Sequence, residues 1–330
     1  MTHREFTPLH PDNEFIVREV KLPDLEEVKV ITKDPYGGMD YTNNAVKQWL
    51  EDSRWHLFCV ETSTCQIIGF TALNVTDGEK SVVVRSSRIA HAFRGKGIYK
   101  ALLNYALAEA KKKFPRLENI FRQRMVDVRI PVGYTCLKPI TEITLQCDTE
   151  KAASMHTQRN PETSHFQETR VSFKDLANRY KTDEAQRSLY PLNLLTIEGE
   201  VFDITEESNV DYLQSRKEIL VFFSKGLSAN NDEKVAVSIL NLEPKQTDEG
   251  VPCANFDVQS NDAVMAAHHL QRALYLVASG MRNEKFNLNV LFNYQHEKDI
   301  TEFVEKELLC CNILAVFKMQ LLRGSFSEET

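Results

Sequence analysis

The sequence lacks the cysteine arrangements that build metal centres and redox sites. Its seven cysteines are scattered, and no two of them stand in a C-x-x-C arrangement. Neither a zinc ribbon nor a thioredoxin-like site is therefore expected. Free, scattered thiols are typical of a reducing compartment, which predicts a cytoplasmic protein. The neighbouring His268 and His269 cannot both face one ion from a helix, so no metal site is expected.

The sequence is also short of positive charge and of long apolar runs. Lysine and arginine number 40 against 47 aspartates and glutamates, which gives a formal net charge of −7. This balance argues against a nucleic-acid partner and disfavours an anionic membrane surface. No apolar run approaches the ~18 residues of a membrane span, and the polar residues 1–14 contain no apolar signal core. The length of 330 residues suits one large or two ordinary globular domains.

Glycine is sparse, at 12 residues, yet two glycines stand one residue apart at Gly95 and Gly97. Before them, residues 81–89 are rich in β-branched side chains and predict a strand. After them, apolar residues at helical spacing predict a helix over about residues 97–113. Glycine lets the backbone approach a ligand, and the N–H groups at a helix start bind phosphate oxygens. The segment therefore predicts a pyrophosphate site at a strand-to-helix turn.

This loop differs from two common phosphate-binding motifs. It has no G-x-x-x-x-G-K-S/T pattern, and Lys100 stands where a dinucleotide fingerprint has its third glycine. Residues 94–99 read R-G-K-G-I-Y, and the helix continues with A-L-L at residues 101–103. In this arrangement the segment resembles the acetyl-CoA loop of the GNAT acetyltransferase superfamily. Tyr99 departs from the pattern, because the family usually has a small residue there.

The resemblance implies an α/β fold with a mixed sheet. It also implies an N-acetyltransferase that takes acetyl-CoA as its cosubstrate and transfers the acetyl group directly to an amine. The order of the predicted elements over about residues 14–147 agrees with the GNAT topology. The implied cofactor-binding residues are Ile89 and Ala90 beside the pantetheine, and Arg94, Gly95, Lys96, Gly97, Ile98 and Tyr99 around the pyrophosphate.

The acid and the base are less well marked. GNAT enzymes often carry a glutamate on the strand before the loop and a tyrosine near the last helix. Here residues 85–88 are two arginines and two serines, so a base on this strand is not expected. Arg85 or Arg88 could bind a substrate carboxylate through two parallel hydrogen bonds, or could form a salt bridge. Tyr134 is the candidate catalytic acid, and the alternative is a packed aromatic side chain.

A second segment supports a finer resemblance. Residues 36–41 read Y-G-G-M-D-Y, and W-L-E-D follows at residues 49–52. With the loop, these segments are similar to the histidine N-acetyltransferases of vertebrates, a group within the GNAT superfamily. The group's acceptor is the α-amine of free L-histidine, which implies a small-molecule partner. The candidate substrate-binding residues are Tyr36, Asp40 and Tyr41 of this segment, together with Arg85 for its guanidinium; the alternative for Asp40 and Tyr41 is a role in a turn or in the core. Two alternatives stay open: another small amine as acceptor, or a protein that binds CoA without turnover.

The second half repeats the predicted order of strands and helices, which predicts tandem GNAT-like folds. At its equivalent turn, residues 256–262 contain two aspartates but no glycine, arginine or lysine. Such a turn would repel pyrophosphate, so the second copy is expected to be degenerate and non-catalytic. The expected division is residues 1–147 for the catalytic domain, 148–167 for a polar linker and 168–330 for the degenerate domain. The oligomeric state is left open.

Overall fold

The computed structural model describes residues 15–31, 42–155, 167–190, 192–227, 232–246, 250–293, 296–308 and 310–326. Both halves mix helices with strands, as the sequence predicts. In the first half the elements are β1 (Phe15–Glu19), α1 (Leu25–Val30), α2 (Thr42–Glu51), β2 (Trp55–Thr62), β3 (Ile67–Thr76), β4 (Ser81–Ile89), α3 (Ile98–Lys113), β5 (Asn119–Met125) and β6 (Tyr134–Asp148).

The second half repeats this order with additions between its first two strands. Its elements are α4 (Thr149–Ser154), β7 (Gln167–Val171), α5 (Phe173–Thr182), α6 (Glu184–Leu189), β8 (Leu194–Ile197), β9 (Glu200–Asp203), α7 (Glu207–Ser215), β10 (Ile219–Leu227), β11 (Glu233–Gln246), β12 (Pro252–Ser260), α8 (Ala263–Gly280), β13 (Lys285–Asn293), α9 (Glu297–Glu307) and β14 (Cys311–Ser325). The predicted mixed α/β class is confirmed, and the order of strands and helices in the first half recurs in the second.

The two halves share one mixed sheet and exchange a strand. Twelve of the described strands join this sheet, in the order β1-β2-β3-β4-β5-β14-β6-β13-β12-β11-β10-β7. The last strand of the second half, β14, lies between β5 and β6 of the first half. In turn, β6 pairs with β13 of the second half. The halves are therefore joined through a continuous hydrogen-bonded ladder rather than through a side-chain contact alone.

Helices α3 and α8 pack on one face of the sheet. The apolar stripe of α3, including Leu102 and Ala106, is buried against β2, β3 and β4. On α8, Leu270 and Leu274 are buried against β12 and β13 in the same manner. Helical spacing predicts both stripes, since residues three and four apart lie on one face.

A neutral histidine lies buried within the second half. The Nε2 and Nδ1 atoms of His269 on α8 are each 2.7 Å from a serine hydroxyl, of Ser224 and Ser238 respectively. A neutral imidazole donates one of these hydrogen bonds and accepts the other. Burial lowers the pKa of His269 to about 4. The ring is thus a satisfied polar group of the core, and it does not face an open site.

The opposite face carries α1 and α2 in the first half, α5, α6 and α7 in the second half, and a small hairpin, whereas α4 and α9 pack beside α8. Residues 192–204 are mostly apolar and β-branched, which favours a single strand, but they contain the antiparallel hairpin β8–β9. The turn residues Glu198 and Gly199 have φ angles of +52° and +74°, as in the two-residue turns that suit the twist of a hairpin. Leu194 and Val201 of this hairpin pack with Val83 of β4 and Phe121 of β5.

Other differences concern short or irregular elements. Strand β6 is long for a strand, at 15 residues. Helix α4 lies inside the stretch expected to be a polar linker, where Asp148 accepts a hydrogen bond from the backbone N–H of Lys151 and begins the helix. The domain boundaries themselves stay a prediction. In the described part of the chain, no helix is both long and apolar enough to span a membrane.

Candidate active site

A bulge in β4 separates this strand from its neighbour. The parallel ladder between β4 and β5 runs from Ser81 to Val84 on β4 and ends there. On the other edge, β4 stays paired with β3 as far as Ile89, but two residues, Ser86 and Ser87, stand opposite the single residue Thr71. Ser86 has a φ angle of +49°. Such a bulge bends a strand and re-aims its side chains, so β4 and β5 diverge beyond Val84.

The divergence of the two strands forms a cleft with a cavity volume of about 510 Å³. Five arginines contribute to its lining: Arg85, Arg88, Arg94, Arg122 and Arg124. Among the described residues, no aspartate or glutamate contributes to it. A concentration of guanidinium groups in a chain with a net charge of −7 marks this cleft as a site for an anionic ligand.

The glycine loop lies at the end of the cleft, between β4 and α3. Gly95 and Gly97 both have a φ angle of +77°, and Gly97 is the residue before the first turn of α3. A Cβ atom built on either glycine meets no heavy atom within 4 Å. Packing therefore does not require these glycines. Their backbone conformation requires them, and they leave the N–H groups at the start of α3 open to a close approach.

The side chains around the loop agree with a phosphate site. The Nε atom of Arg94 donates a 3.0 Å hydrogen bond to the carbonyl oxygen of Ile89. This bond holds the Arg94 side chain beside the end of β4, where it lines the cleft. Tyr99, on the first turn of α3, also lines the cleft, and 36% of its surface is exposed. Among the predicted cofactor-binding residues, Ile89, Arg94 and Tyr99 line one cavity.

The second half does not repeat this geometry. Its parallel ladder between β12 and β13 continues over six residue pairs, from Cys253 to Val258. Only Asn261 and Asp262 separate the end of β12 from the start of α8, whereas eight residues separate β4 from α3 in the first half, residues 90–97. No glycine loop can form in two residues, which agrees with the expectation of a degenerate second copy.

The candidate acid, Tyr134, lies next to the cleft but does not line it. Tyr134 begins β6 and is 8% exposed. The guanidinium carbon of Arg122 lies 4.3 Å from the centre of its ring, and a Cβ atom built on Gly324 of β14 would lie 2.9 Å from the ring. Tyr134 therefore contacts a cleft residue, Arg122, without being among the lining residues, and its role as an acid stays a prediction.

The predicted substrate residues are only partly described. Arg85 lines the cleft, and its Nη1 atom donates a hydrogen bond to the carbonyl oxygen of Glu198 in the turn of the hairpin. Tyr36, Asp40 and Tyr41 lie outside the described residues. The structure thus brings Arg85 to the predicted cofactor site and adds a contact from the second half.

Sequence reasoning missed one carboxyl group near the site. Glu142 lies on β6, two residues after Ile140, so the two share a face of the strand. Ile140 packs in the apolar cluster that contains Val83 of β4. Burial raises the pKa of Glu142 to about 7, and the positive charge of Arg85 opposes that rise. No local motif marks Glu142, because Arg85 lies on a different strand, 57 residues earlier in the chain.

Metal ligands are not grouped in this region. In the segments that the structure covers, no three histidine, cysteine, aspartate or glutamate side chains are placed to hold an ion.

Part of the chain is similar to known acetyltransferases. Residues 25–124 match the model of the acetyltransferase (GNAT) family. Histidine N-acetyltransferase of Scomber australasicus is 26% identical over 95 residues, which are 29% of this chain and 28% of that protein. Probable N-acetyltransferase 16 of Homo sapiens is 29% identical over 92 residues, 28% of this chain and 25% of that protein. The matched segments thus span about a quarter of the length of these curated relatives.

Solved structures of similar proteins are more distant in sequence. A tandem GNAT protein from the clavulanic acid biosynthesis pathway aligns with 94% of this chain and 98% of its own, with 10% identity and a TM-score of 0.49. A GCN5-related N-acetyltransferase from Kribbella flavida aligns with 94% of this chain and 71% of its own, with 11% identity and a TM-score of 0.40.

Proposed function

We propose that this chain, whose residues 25–124 form a domain of the acetyltransferase (GNAT) family, is an acetyl-CoA-dependent N-acetyltransferase of a free amino acid. The observation that carries the proposal is the arginine-lined cleft between β4 and β5, with the glycine loop at its end. The acceptor is the α-amine, and L-histidine is the favoured amino acid because of the resemblance to histidine N-acetyltransferases.

The residues of the loop suit the anionic part of CoA. The open side of Gly95 and Gly97 admits a pyrophosphate to the backbone N–H groups before α3. Arg94 supplies a positive charge at the same place. The edge of β4 near Ile89 and Ala90 borders the cleft and suits the amide groups of a pantetheine arm. When bound, acetyl-CoA supplies an activated thioester at the position where the two strands diverge.

The remaining residues are assigned to the acceptor and to proton transfer. Arg85 binds the carboxylate of the amino acid through its guanidinium. The removal of the amine proton is assigned to Glu142, which lies near Arg85 but not among the residues that line the cleft. Its pKa of about 7 suits this role, because a base is most effective when its pKa lies near the working pH. Tyr134 donates a proton toward the leaving thiolate. Holding both substrates in one cleft supplies much of the remaining acceleration.

Thiol release from acetyl-CoA tests the proposal directly. The purified protein is mixed with acetyl-CoA and each free amino acid in turn, and free thiol is measured over time. Three analogues make the test sharper: histamine lacks the carboxylate, the methyl ester of L-histidine neutralises it, and Nα-acetyl-L-histidine lacks the free amine. We expect turnover with L-histidine, weak turnover with histamine and the ester, and none with the blocked amine.

The other outcomes separate the alternatives. Turnover with a different amino acid keeps the reaction and changes the acceptor. Equal turnover with histamine and L-histidine contradicts the role of Arg85. If no amine releases thiol while CoA still raises the melting temperature, the protein binds CoA without catalysis, a result that the absence of a carboxylate from the described cleft lining would then explain.

A further inference from the structure

The turn of hairpin β8–β9 reaches from the second half to the cleft of the first half. Its Glu198 carbonyl oxygen accepts a hydrogen bond from Nη1 of Arg85. A Cβ atom built on Gly199 would lie 2.8 Å from Cζ of Arg85 and 3.0 Å from Oε1 of Gln123. Both Arg85 and Gln123 line the cleft. A side chain at position 199 would therefore require Arg85 or Gln123 to move from its present place.

The same turn is held firmly by the sheet of the second half. The carboxylate of Glu198 is 7% exposed and accepts hydrogen bonds of 2.6 Å from Nδ2 of Asn241 and 3.0 Å from Nδ2 of Asn255. Asn255 in turn accepts a hydrogen bond from Asn289, which accepts one from Thr144 on β6. A buried carboxylate with several donors has little freedom to move, so the position of the turn is fixed.

The hairpin is also bound to the first half away from its turn. Nδ2 of Asn74 on β3 donates a 2.7 Å hydrogen bond to Oε2 of Glu200, and both side chains are buried. Val201 packs with Val83 and Phe121. The turn is therefore fixed on both sides, and the guanidinium of Arg85 is held against a rigid carbonyl.

We propose that the Glu198–Gly199 turn is a positioning element through which the second half sets acceptor specificity. It holds Arg85 at the angle at which the guanidinium binds the carboxylate of the acceptor. This inference rests on the proposed acetyltransferase function. It assigns to the degenerate half a definite task in the reaction, although that half has no cofactor loop of its own.

The turn can be perturbed without touching the cofactor loop. Gly199→Ala places a methyl group where Arg85 and Gln123 now lie, so Arg85 must move. We expect the KM for L-histidine to rise about tenfold or more, as when one charge-assisted hydrogen bond is lost. The KM for acetyl-CoA should stay within about twofold of its original value, because the loop at residues 94–99 is unchanged. The slower turnover of histamine should stay as it was, since histamine has no carboxylate to lose.

Two further variants keep the result interpretable. Gly250→Ala is the matched control: Gly250 also has a positive φ angle, +77°, and a Cβ atom built there meets nothing within 4 Å. It carries the same backbone strain without the contact. Gly199→Asn also adds a Cβ atom next to Arg85, but asparagine adopts a left-handed backbone more readily than alanine. This variant therefore tests the turn if Gly199→Ala does not fold.

The outcomes distinguish this inference from the proposed function. A tenfold rise in the KM for L-histidine in either Gly199 variant, with Gly250→Ala unchanged, supports the positioning role. If wild type is active and both Gly199 variants match Gly250→Ala in every KM, the positioning role is wrong and the proposed function stands. If wild type releases no thiol with any amine, the proposed function fails, and this inference fails with it.

Discussion

A substitution in the glycine loop should change the stability of the protein and its binding of CoA by different amounts, and the two effects can be measured separately. In Gly97→Ala, the new methyl group meets no atom within 4 Å, so there is no clash. The cost is that of a left-handed backbone at φ +77°, about 1–2 kcal/mol for a residue other than glycine. A loss of this size lowers the melting temperature by only a few degrees in a chain of this length.

The effect on CoA should be larger, because the methyl group occupies the side of the loop from which a pyrophosphate would approach. A ligand present at 100 times its Kd stabilises the folded protein by about 2.7 kcal/mol. If the variant weakens binding a hundredfold, the same ligand concentration then stabilises by only about 0.4 kcal/mol. Thermal unfolding with and without CoA measures both quantities in one experiment.

Gly250→Ala again serves as the control, since its φ angle is also +77° and its surroundings are open. It should lose the same 1–2 kcal/mol of stability, the cost of the same backbone conformation, and should keep the full stabilisation by CoA. If Gly97→Ala keeps that stabilisation as well, the loop does not bind CoA and the assignment of the site is wrong.

Three further predictions concern the rest of the molecule. Burial lowers the pKa of His269 to about 4 in the folded chain, whereas in the unfolded chain this imidazole binds a proton below a pKa of about 6.5. The free energy of unfolding should therefore fall by up to about 3 kcal/mol between about pH 6.5 and about pH 4. Urea denaturation at several pH values should show a smaller fall in His269→Gln, and an equal fall would exclude this residue as the cause. Because burial raises the pKa of Glu142 to about 7, its carboxylate becomes protonated as the pH falls through about 7, and kcat/KM should decrease there. In Glu142→Gln this inflection should be absent and kcat/KM should be low at every pH. A pH profile unchanged in the variant would eliminate Glu142 as the base. The guanidinium carbon of Arg54 lies 3.3 Å from the ring centre of Tyr212, a contact between the two halves. Arg54→Ala should therefore lower the free energy of unfolding by about 1 kcal/mol. A double-mutant cycle with Tyr212→Leu, measured by urea denaturation, should give a coupling energy near that value, and zero coupling would contradict the contact.

The elements that position the cofactor site could be predicted because their signals are local. The β-branched run of β4, the two glycines and the apolar stripe of α3 each follow from a few neighbouring residues. The strand predicted at residues 81–89 agrees with β4, and the helix predicted from about residue 97 to 113 agrees with α3. Periodicity and turn chemistry are sufficient where no distant contact decides the outcome.

Other features depend on contacts between distant segments and leave no local signal. The turn at Gly199 lies in a run of mostly apolar and β-branched residues that favours one strand, whereas the structure has a hairpin with positive φ angles at Glu198 and Gly199. The length of strand β6 depends on β14, the last strand of the second half, which pairs with it along almost its whole length. The proximity of Glu142 to Arg85 likewise leaves no local signal, since the two residues are on different strands, β6 and β4.

The exchange of β6 and β14 also has a consequence for synthesis of the chain. During translation, β5 and β6 leave the ribosome long before β14, the strand that lies between them in the finished sheet. The first half therefore cannot complete its own sheet while the second half is still being made. A nascent chain that stalls before Cys311 would expose the edges of β5 and β6, which are the kind of edges that pair with other chains. We therefore expect the cleft of the first half to become functional only after β14 has been synthesised.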